Sequence, residues 1–162
     1  GIRYRCPSRG LGYVYKRLGI RLLYIFEEEE IDLAAVTIGH TNDSTEIDYV
    51  LELARRGANV GLDRFTKNMN EEELIRRSEI ALALIEAGYA EQTSLGHDSA
   101  AYSVNRGPAS GGPRIEDADC WLPVPDFEIP WLLNKGVGQD SIDAMMVKSI
   151  QRTFESAQAM KS

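Results

Sequence analysis

From Ala34 onward, short apolar runs alternate with segments whose apolar residues recur every third or fourth position. Ala35-Val36-Thr37-Ile38-Gly39 reads as a strand ending at His40. Turn-forming Thr41-Asn42-Asp43-Ser44 follows, and Ile47, Val50, Leu51 and Ala54 then make the i, i+3, i+4, i+7 stripe of a helix facing a core. Gly57 is placed to end that helix. The design repeats with Asn59-Val60-Gly61-Leu62 as strand, Asp63-Arg64 at its end, and a helix from about Asn70 to Ala87. Asn70 suits the cap, Glu71 to Glu73 suit the positive N-terminal end, and Gly88 closes the helix. A third strand, Gln92-Thr93-Ser94-Leu95-Gly96, ends in His97-Asp98. Repeated strand–helix units predict a parallel sheet in an α/β fold.

Beyond Asp98 a long segment rich in Gly, Pro and Ser, Asn105 to Pro113, reads as a loop, and one of that length inside a compact domain is either functional or disordered. Two further helices are expected, one near Ile129 to Lys135 and one from Ser141, with Ile142, Met145, Met146 and Phe154 as its core-facing side. The first thirty residues carry no clean period. Tyr13-Val14-Tyr15 suits a strand and Leu18 to Glu29 suits a helix.

Length adds a constraint, because 162 residues make a domain with a real core but fall short of a complete eight-fold α/β barrel, typically ~250 residues. No apolar run approaches the roughly 20 residues that span a bilayer. The opening Gly1-Ile2-Arg3-Tyr4-Arg5 lacks the apolar core of a signal peptide, so a processed or truncated start is expected. Cys6 and Cys120 form no CxxC pair, which argues against a disulfide framework and a thiolate zinc site and favours a reducing, cytoplasmic setting. The net charge of -7 disfavours nucleic acid as a partner. Its distribution is uneven: Arg3, Arg5, Arg9, Lys16, Arg17 and Arg21 precede the first acidic residue, Glu27. That basic arm is either a contact for an acidic partner such as RNA or a solvated end, and the solvated end is the reading preferred.

In parallel α/β architectures, ligands bind beyond the carboxyl ends of the strands. The polar residues there, His40, Asp63-Arg64 and His97-Asp98, are therefore the candidates for chemistry. Each has a plainer role: a hydrogen-bonded histidine, a helix cap at Asp43 or Asp98, an ion pair at Arg64. Convergence favours chemistry, since imidazole and carboxylate groups from adjacent strand ends are what a hydrolytic divalent metal requires.

Two runs make the pattern specific: Thr37-Ile38-Gly39-His40-Thr41-Asn42-Asp43, followed by an Asp-Tyr helix, and Gly61-Leu62-Asp63-Arg64-Phe65. With Leu95-Gly96-His97-Asp98, Ile129-Pro130 and Lys135-Gly136-Val137, this ordered series resembles the phosphotriesterase family of metal-dependent hydrolases, from about Phe26 to Glu155. The resemblance implies a partial TIM (β/α)8 barrel holding parallel strands six to eight with flanking and C-terminal helices, occupying residues 26–162 after an atypical basic segment, 1–25. It implies hydrolysis of an ester, lactone or phosphotriester at a binuclear divalent metal centre, most simply zinc. Carried over by position, His40 matches a metal-binding histidine and Asp98 a metal-ligating aspartate that also takes up a proton. Asp43 and Arg64 match groups linked to that aspartate. Arg64 also reaches substrate, and an arginine there resembles the lactonase-like members. The segment from Ala100 to Trp121 matches the substrate-lining loop, with Trp121 either contacting ligand or buried.

This sequence departs from the family in its remaining donors. A His-x-His, a lysine and a further histidine should all lie upstream of His40, and the chain's two histidines are His40 and His97. Gly1 to Tyr24 reads as though truncation or a change of reading frame had replaced the native segment. Two donors hold a zinc poorly, and a partial barrel has open sheet edges that homodimerisation could cover. The rival expectation is a noncatalytic α/β domain that binds a ligand or subunit through the same strand ends.

Overall fold

A computed structural model describes residues 12–66, 69–99 and 121–160, with side chains in the first helix from Leu18 onward. Cys6, Cys120, the basic residues up to Arg17 and the loop from 100 to 120 fall outside the described side chains.

Among the described residues three parallel strands form one sheet in sequence order, β1 (Thr37–Ile38), β2 (Asn59–Leu62) and β3 (Thr93–Leu95). Thr37 pairs with Asn59 and Ile38 with Val60; Val60, Gly61 and Leu62 pair with Thr93, Ser94 and Leu95. β2 is central and buried throughout, as a parallel strand covered on both faces should be. Helix α2 (Ile47–Arg55) connects β1 to β2, and α3 (Glu71–Glu86) connects β2 to β3. Each is stopped by a glycine in the left-handed region, Gly57 at φ 103° and Gly88 at φ 85°. Asn70 caps α3 as expected, its side chain accepting from the Glu73 amide at 2.9 Å. The core lies between sheet and helices, built on Val50, Leu53, Val60, Leu62, Phe65, Ile80 and Leu84.

Helix α1 (Gly12–Glu28) differs from the reading of Tyr13-Val14-Tyr15 as a strand, because those residues continue the same helix. The reason is tertiary. Leu23 is fully buried, and Gly19 sits so close to Tyr49 that a Cβ there would collide with the Tyr49 hydroxyl. Glycine costs about 1 kcal/mol in a helix interior, yet here it lets α1 lie down on α2 and the edge of β1.

After Trp121 the chain forms a π turn at Val124–Glu128, which continues directly into α4 (Ile129–Asn134). A second helical rod comprises α5 (Gln139–Asp143), a π segment at Ala144–Lys148 and α6 (Ser149–Ala159). Ile142 and Met145 are buried as expected, but Met146 and Phe154 are 44% and 66% exposed, which corrects their assignment to the core. The buried face runs through Ile142, Met145 and Ser149. Phe154, five residues past Ser149, is rotated about 140° away from that face. Arg152 pins the rod to the sheet by donating to Asn59 Oδ1 and, at 3.1 Å, to the Gly57 carbonyl. Among the described residues no helix is long and apolar enough to cross a membrane.

Candidate functional site at the strand ends

The carboxyl ends of β1, β2 and β3 lie side by side, and each exits through a glycine or into a charged pair. Gly39, Gly61 and Gly96 allow this closeness. A Cβ on Gly61 would stand 3.1 Å from Gly39 Cα, and one on Gly96 would stand 3.3 Å from Asp63 Cβ. The Asp63 side chain fills the resulting slot, with Oδ2 3.1 Å from where a Gly39 Cβ would be.

His40 follows Gly39 at φ 57°, ψ 24°, the left-handed region that non-glycine residues seldom occupy. Two bonds to one oxygen hold it there: the His40 amide donates to Asp63 Oδ1 at 2.7 Å, and ring Nδ1 lies 2.9 Å from the same atom. With that carboxylate accepting, the ring hydrogen sits on Nδ1, and Nε2 is the nitrogen Asp63 leaves available. This is the carboxylate–histidine pairing that orients metal-binding imidazoles. Sequence reasoning placed Asp63 at a strand end without giving it a role. The signal was its position one residue past β2, opposite a histidine one strand away.

Asp98 also has a left-handed backbone, φ 47°. Apart from Glu30, His40 and Asp98 are the non-glycine residues with positive φ among the described residues. Strain of this kind, on the order of 1–3 kcal/mol per residue, is characteristic of positions fixed for function. Arg64 reaches Asp98, with Nη1 3.3 Å from Oδ2, and the same nitrogen lies 3.8 Å from Asp43 Oδ2. The other Asp43 oxygen pairs with Arg77 Nη2 at 2.8 Å, and Arg77 Nη1 donates to the Asn42 carbonyl at 2.9 Å. Asn42 closes the loop by accepting from the Arg64 amide at 3.3 Å. Thr41 ties the turn to β2 by donating to the Gly61 carbonyl at 2.9 Å. Burial and the adjacent Arg77 push the Arg76 guanidinium below its ordinary value; its Nη1 donates to the Ser44 carbonyl at 2.8 Å. The packing has a cost: Asn42 Nδ2, Arg64 Nε and Arg77 Nε are buried without acceptors among the described residues, each worth about 1–3 kcal/mol.

His97 points elsewhere. Its Nε2 accepts from the Val124 amide at 3.2 Å, and its ring meets Trp121 edge-on at 6.2 Å. Burial lowers its pKa, consistent with a neutral acceptor. It fastens the return of the chain into the π turn. Trp121 remains 45% exposed against it.

The structure therefore brings Asp43, Arg64 and Asp98 into one ion-paired chain and sets His40 on Asp63 beside it. Among the described residues no group of three or more His, Cys, Asp or Glu side chains could hold a metal ion. His40 and Asp98 by themselves are fewer donors than the three protein ligands of a hydrolytic zinc, so the described residues do not fit such an ion unaided.

Parallel strands with a histidine, an arginine and strained carboxylate at their carboxyl ends define an α/β protein of the strand-end-site class. The sequence profile of the phosphotriesterase family matches residues 11–154, and the chain belongs to that family. It is 32% identical over 139 residues to the "phosphotriesterase homology protein" of Mycobacterium tuberculosis, covering 86% of this chain and 42% of that protein. It is 28% identical over 142 residues to an aryldialkylphosphatase of Saccharolobus solfataricus, covering 86% and 45% respectively. The structure of the phosphotriesterase from Mycobacterium tuberculosis superposes with a TM-score of 0.70 at 30% identity, over 86% of this chain and 43% of that one. The chain thus spans less than half the length of the curated relatives it matches.

Proposed function

We propose that this chain carries strands six to eight of a phosphotriesterase-type (β/α)8 barrel and contributes one side of a metal-dependent hydrolase site acting on ester, lactone or phosphotriester bonds. The observation that carries the reading is the placement of His40 and Asp98, both in strained left-handed backbone, at the carboxyl ends of the two strands that flank β2, each held by a charged partner from the end of β2. Asp63 leaves the lone pair of His40 Nε2 available to a metal ion, and Arg64 fixes the Asp98 carboxylate. A carboxylate so placed can take a proton from an attacking water or hydroxyl. Arg64 and Trp121 are assigned to the substrate, which an arginine at the end of β2 would hold through a carbonyl or phosphoryl oxygen. The donors that a divalent ion such as zinc needs beyond His40 and Asp98 are assigned to residues outside those described or to a second copy in a homodimer.

The test is metal content per chain after loading with zinc or cobalt and exhaustive dialysis, beside turnover of a lactone and an aryl phosphotriester. Retention and turnover that both fall with His40→Ala and Asp98→Ala support the assignment. Metal-independent binding of the same compounds, unchanged by either substitution, would establish a noncatalytic ligand-binding domain instead.

A further inference from the structure

We infer that Arg77, on α3, is a positioning residue for the strand-end cluster, clamping the turn after His40 and setting through Asp43 where Arg64 meets Asp98. The inference rests on the reading of those three residues as a site. Its argument comes from how Asp43 is shared.

Arg77 emerges from the middle of α3 with its side chain 7% exposed, whereas the Asp43 carboxylate it pairs with is 44% exposed. A buried guanidinium is costly to desolvate, and an apolar side chain would fill the same space at no such cost. What an apolar residue could not do is hold two things at once. The planar fork of Arg77 takes the Asn42 carbonyl with Nη1 and Asp43 Oδ1 with Nη2. Together these fix both the backbone and the side chain of the turn Thr41–Asp43, whose N-cap is His40 in its left-handed conformation. Arg76, the residue before it on α3, does the same at the Ser44 carbonyl, two residues past Asn42. Two successive α3 arginines therefore hold the turn from the helix side, while Thr41 holds it from the strand side.

The consequence for Arg64 follows from geometry. With Oδ1 committed to Arg77, Asp43 offers Arg64 its other oxygen, and that contact is long, 3.8 Å, against 3.3 Å from Arg64 to Asp98. Arg64 is thereby left leaning toward Asp98. Without Arg77, Asp43 is free to turn both oxygens to Arg64 in the bidentate arrangement that arginine and carboxylate favour, drawing the guanidinium off Asp98. At the same time the Asn42 carbonyl loses its donor and the turn that carries His40 loosens.

Histidine itself reports on this, because the chain has two, His40 beside the turn and His97 on the Val124 amide. The full chain, labelled with ¹⁵N-histidine and observed at a pH where both rings are neutral, gives two sets of ring signals, assigned with His40→Ala. Arg77→Met is expected to shift the His40 nitrogens toward the average of the two tautomers while His97 stays in place. Asp43→Asn, which leaves Arg77 Nη1 on the Asn42 carbonyl, should displace His40 in the same direction by less, and the double variant should move it no further than Arg77→Met alone. Arg77→Lys, which keeps the charge but cannot grip both acceptors as a fork, should restore His40 in part. A His40 spectrum unmoved in folded Arg77→Met overturns the inference. So does equal movement of both histidines with no dependence on Asp43, which is the result of packing alone. Should Arg77→Met fail to fold, Asp43→Asn, altered at an exposed carboxylate, decides by the same signals. None of these readings needs metal or turnover, so they stand apart from the outcome for the hydrolase assignment.

Discussion

Glu128 lies where a carboxylate is least expected, fully buried at the end of the π turn beside α3. Among the described residues its Oε1 has no partner, and Oε2 meets the Ser78 hydroxyl. Ser78 has a single hydrogen and also bonds the Leu74 carbonyl at 3.0 Å. If that hydrogen goes to Leu74, the Ser78 oxygen is left to accept, and the matching donor is a protonated Glu128. Burial agrees, raising the Glu128 pKa from its ordinary 4.5 to about 7; Ser78 opposes the shift only insofar as its hydrogen points at the carboxyl. The sign follows. The folded state keeps a proton that the unfolded state releases, so the contribution is complete below about pH 4.5 and is lost as pH rises through about 7. The shift is worth about 3 kcal/mol at 1.36 kcal/mol per unit. Glu128→Gln mimics the protonated form and cannot ionise. Its urea-unfolding free energy relative to the wild type should therefore improve by about 3 kcal/mol between the two ends of that range. Taking the difference cancels the other carboxylates, which titrate in both proteins. Parallel stability curves across the range would refute the reasoning and mean that Glu128 ionises in the fold as it does in water.

Three further substitutions test other joints. Gly61→Ala puts a methyl 3.1 Å from Gly39 Cα and 3.4 Å from the Ile38 carbonyl, both backbone, so β1 and β2 must part at the site. A loss of about 1–3 kcal/mol in chemical denaturation is expected, with the His40–Asp63 contact disturbed in the ¹⁵N-histidine spectrum. Arg152→Met removes the donors to Asn59 and Gly57 and should cost about 1.5–3 kcal/mol. Hydrogen exchange would report it as faster opening of α6 ahead of β2. His97→Leu leaves the Val124 amide without its acceptor, at about 1–3 kcal/mol, and should alter the fluorescence of Trp121, read against a Trp131→Phe background. Unchanged emission there would mean that the ring contact does not persist in solution.

Much of the architecture was legible because it depends on local rules. The period of the apolar positions located α2, α3 and the strands between them. Gly57 and Gly88 marked the helix ends because few other residues tolerate the left-handed conformation found there, and Asn70 marked a start because its side chain can cap. β1 is shorter than the apolar run suggested, Thr37–Ile38 rather than Ala35–Gly39, because Leu33–Ala35 winds into a 3₁₀ turn capped by Asp32. The strand preference of Tyr13-Val14-Tyr15 shows the limit of local rules, since the docking of Gly19 and Leu23 overrides it. Phe154 shows the same limit from the other side: an apolar residue in a helix does not say which face its rod will turn inward.

Of the candidate site, chain order nominated His40, Asp63-Arg64 and His97-Asp98, since strand ends in a parallel sheet converge whatever the details, and the family resemblance added Asp43. Which of them touch, and through what, was settled only by the register of three strands. Thr37 opposite Asn59 and Val60 opposite Thr93 bring Asp63 under His40 and Arg64 between two carboxylates. Asp63 and Arg77 acquire meaning only there, the first from a neighbouring strand and the second from a helix thirty-five residues beyond the Asn42 carbonyl it holds. The sequence determined the elements and the residues at their ends, because those follow from spacing along one chain. The tertiary structure decided the partnerships, because a hydrogen bond or ion pair depends on distances between segments that no local pattern encodes.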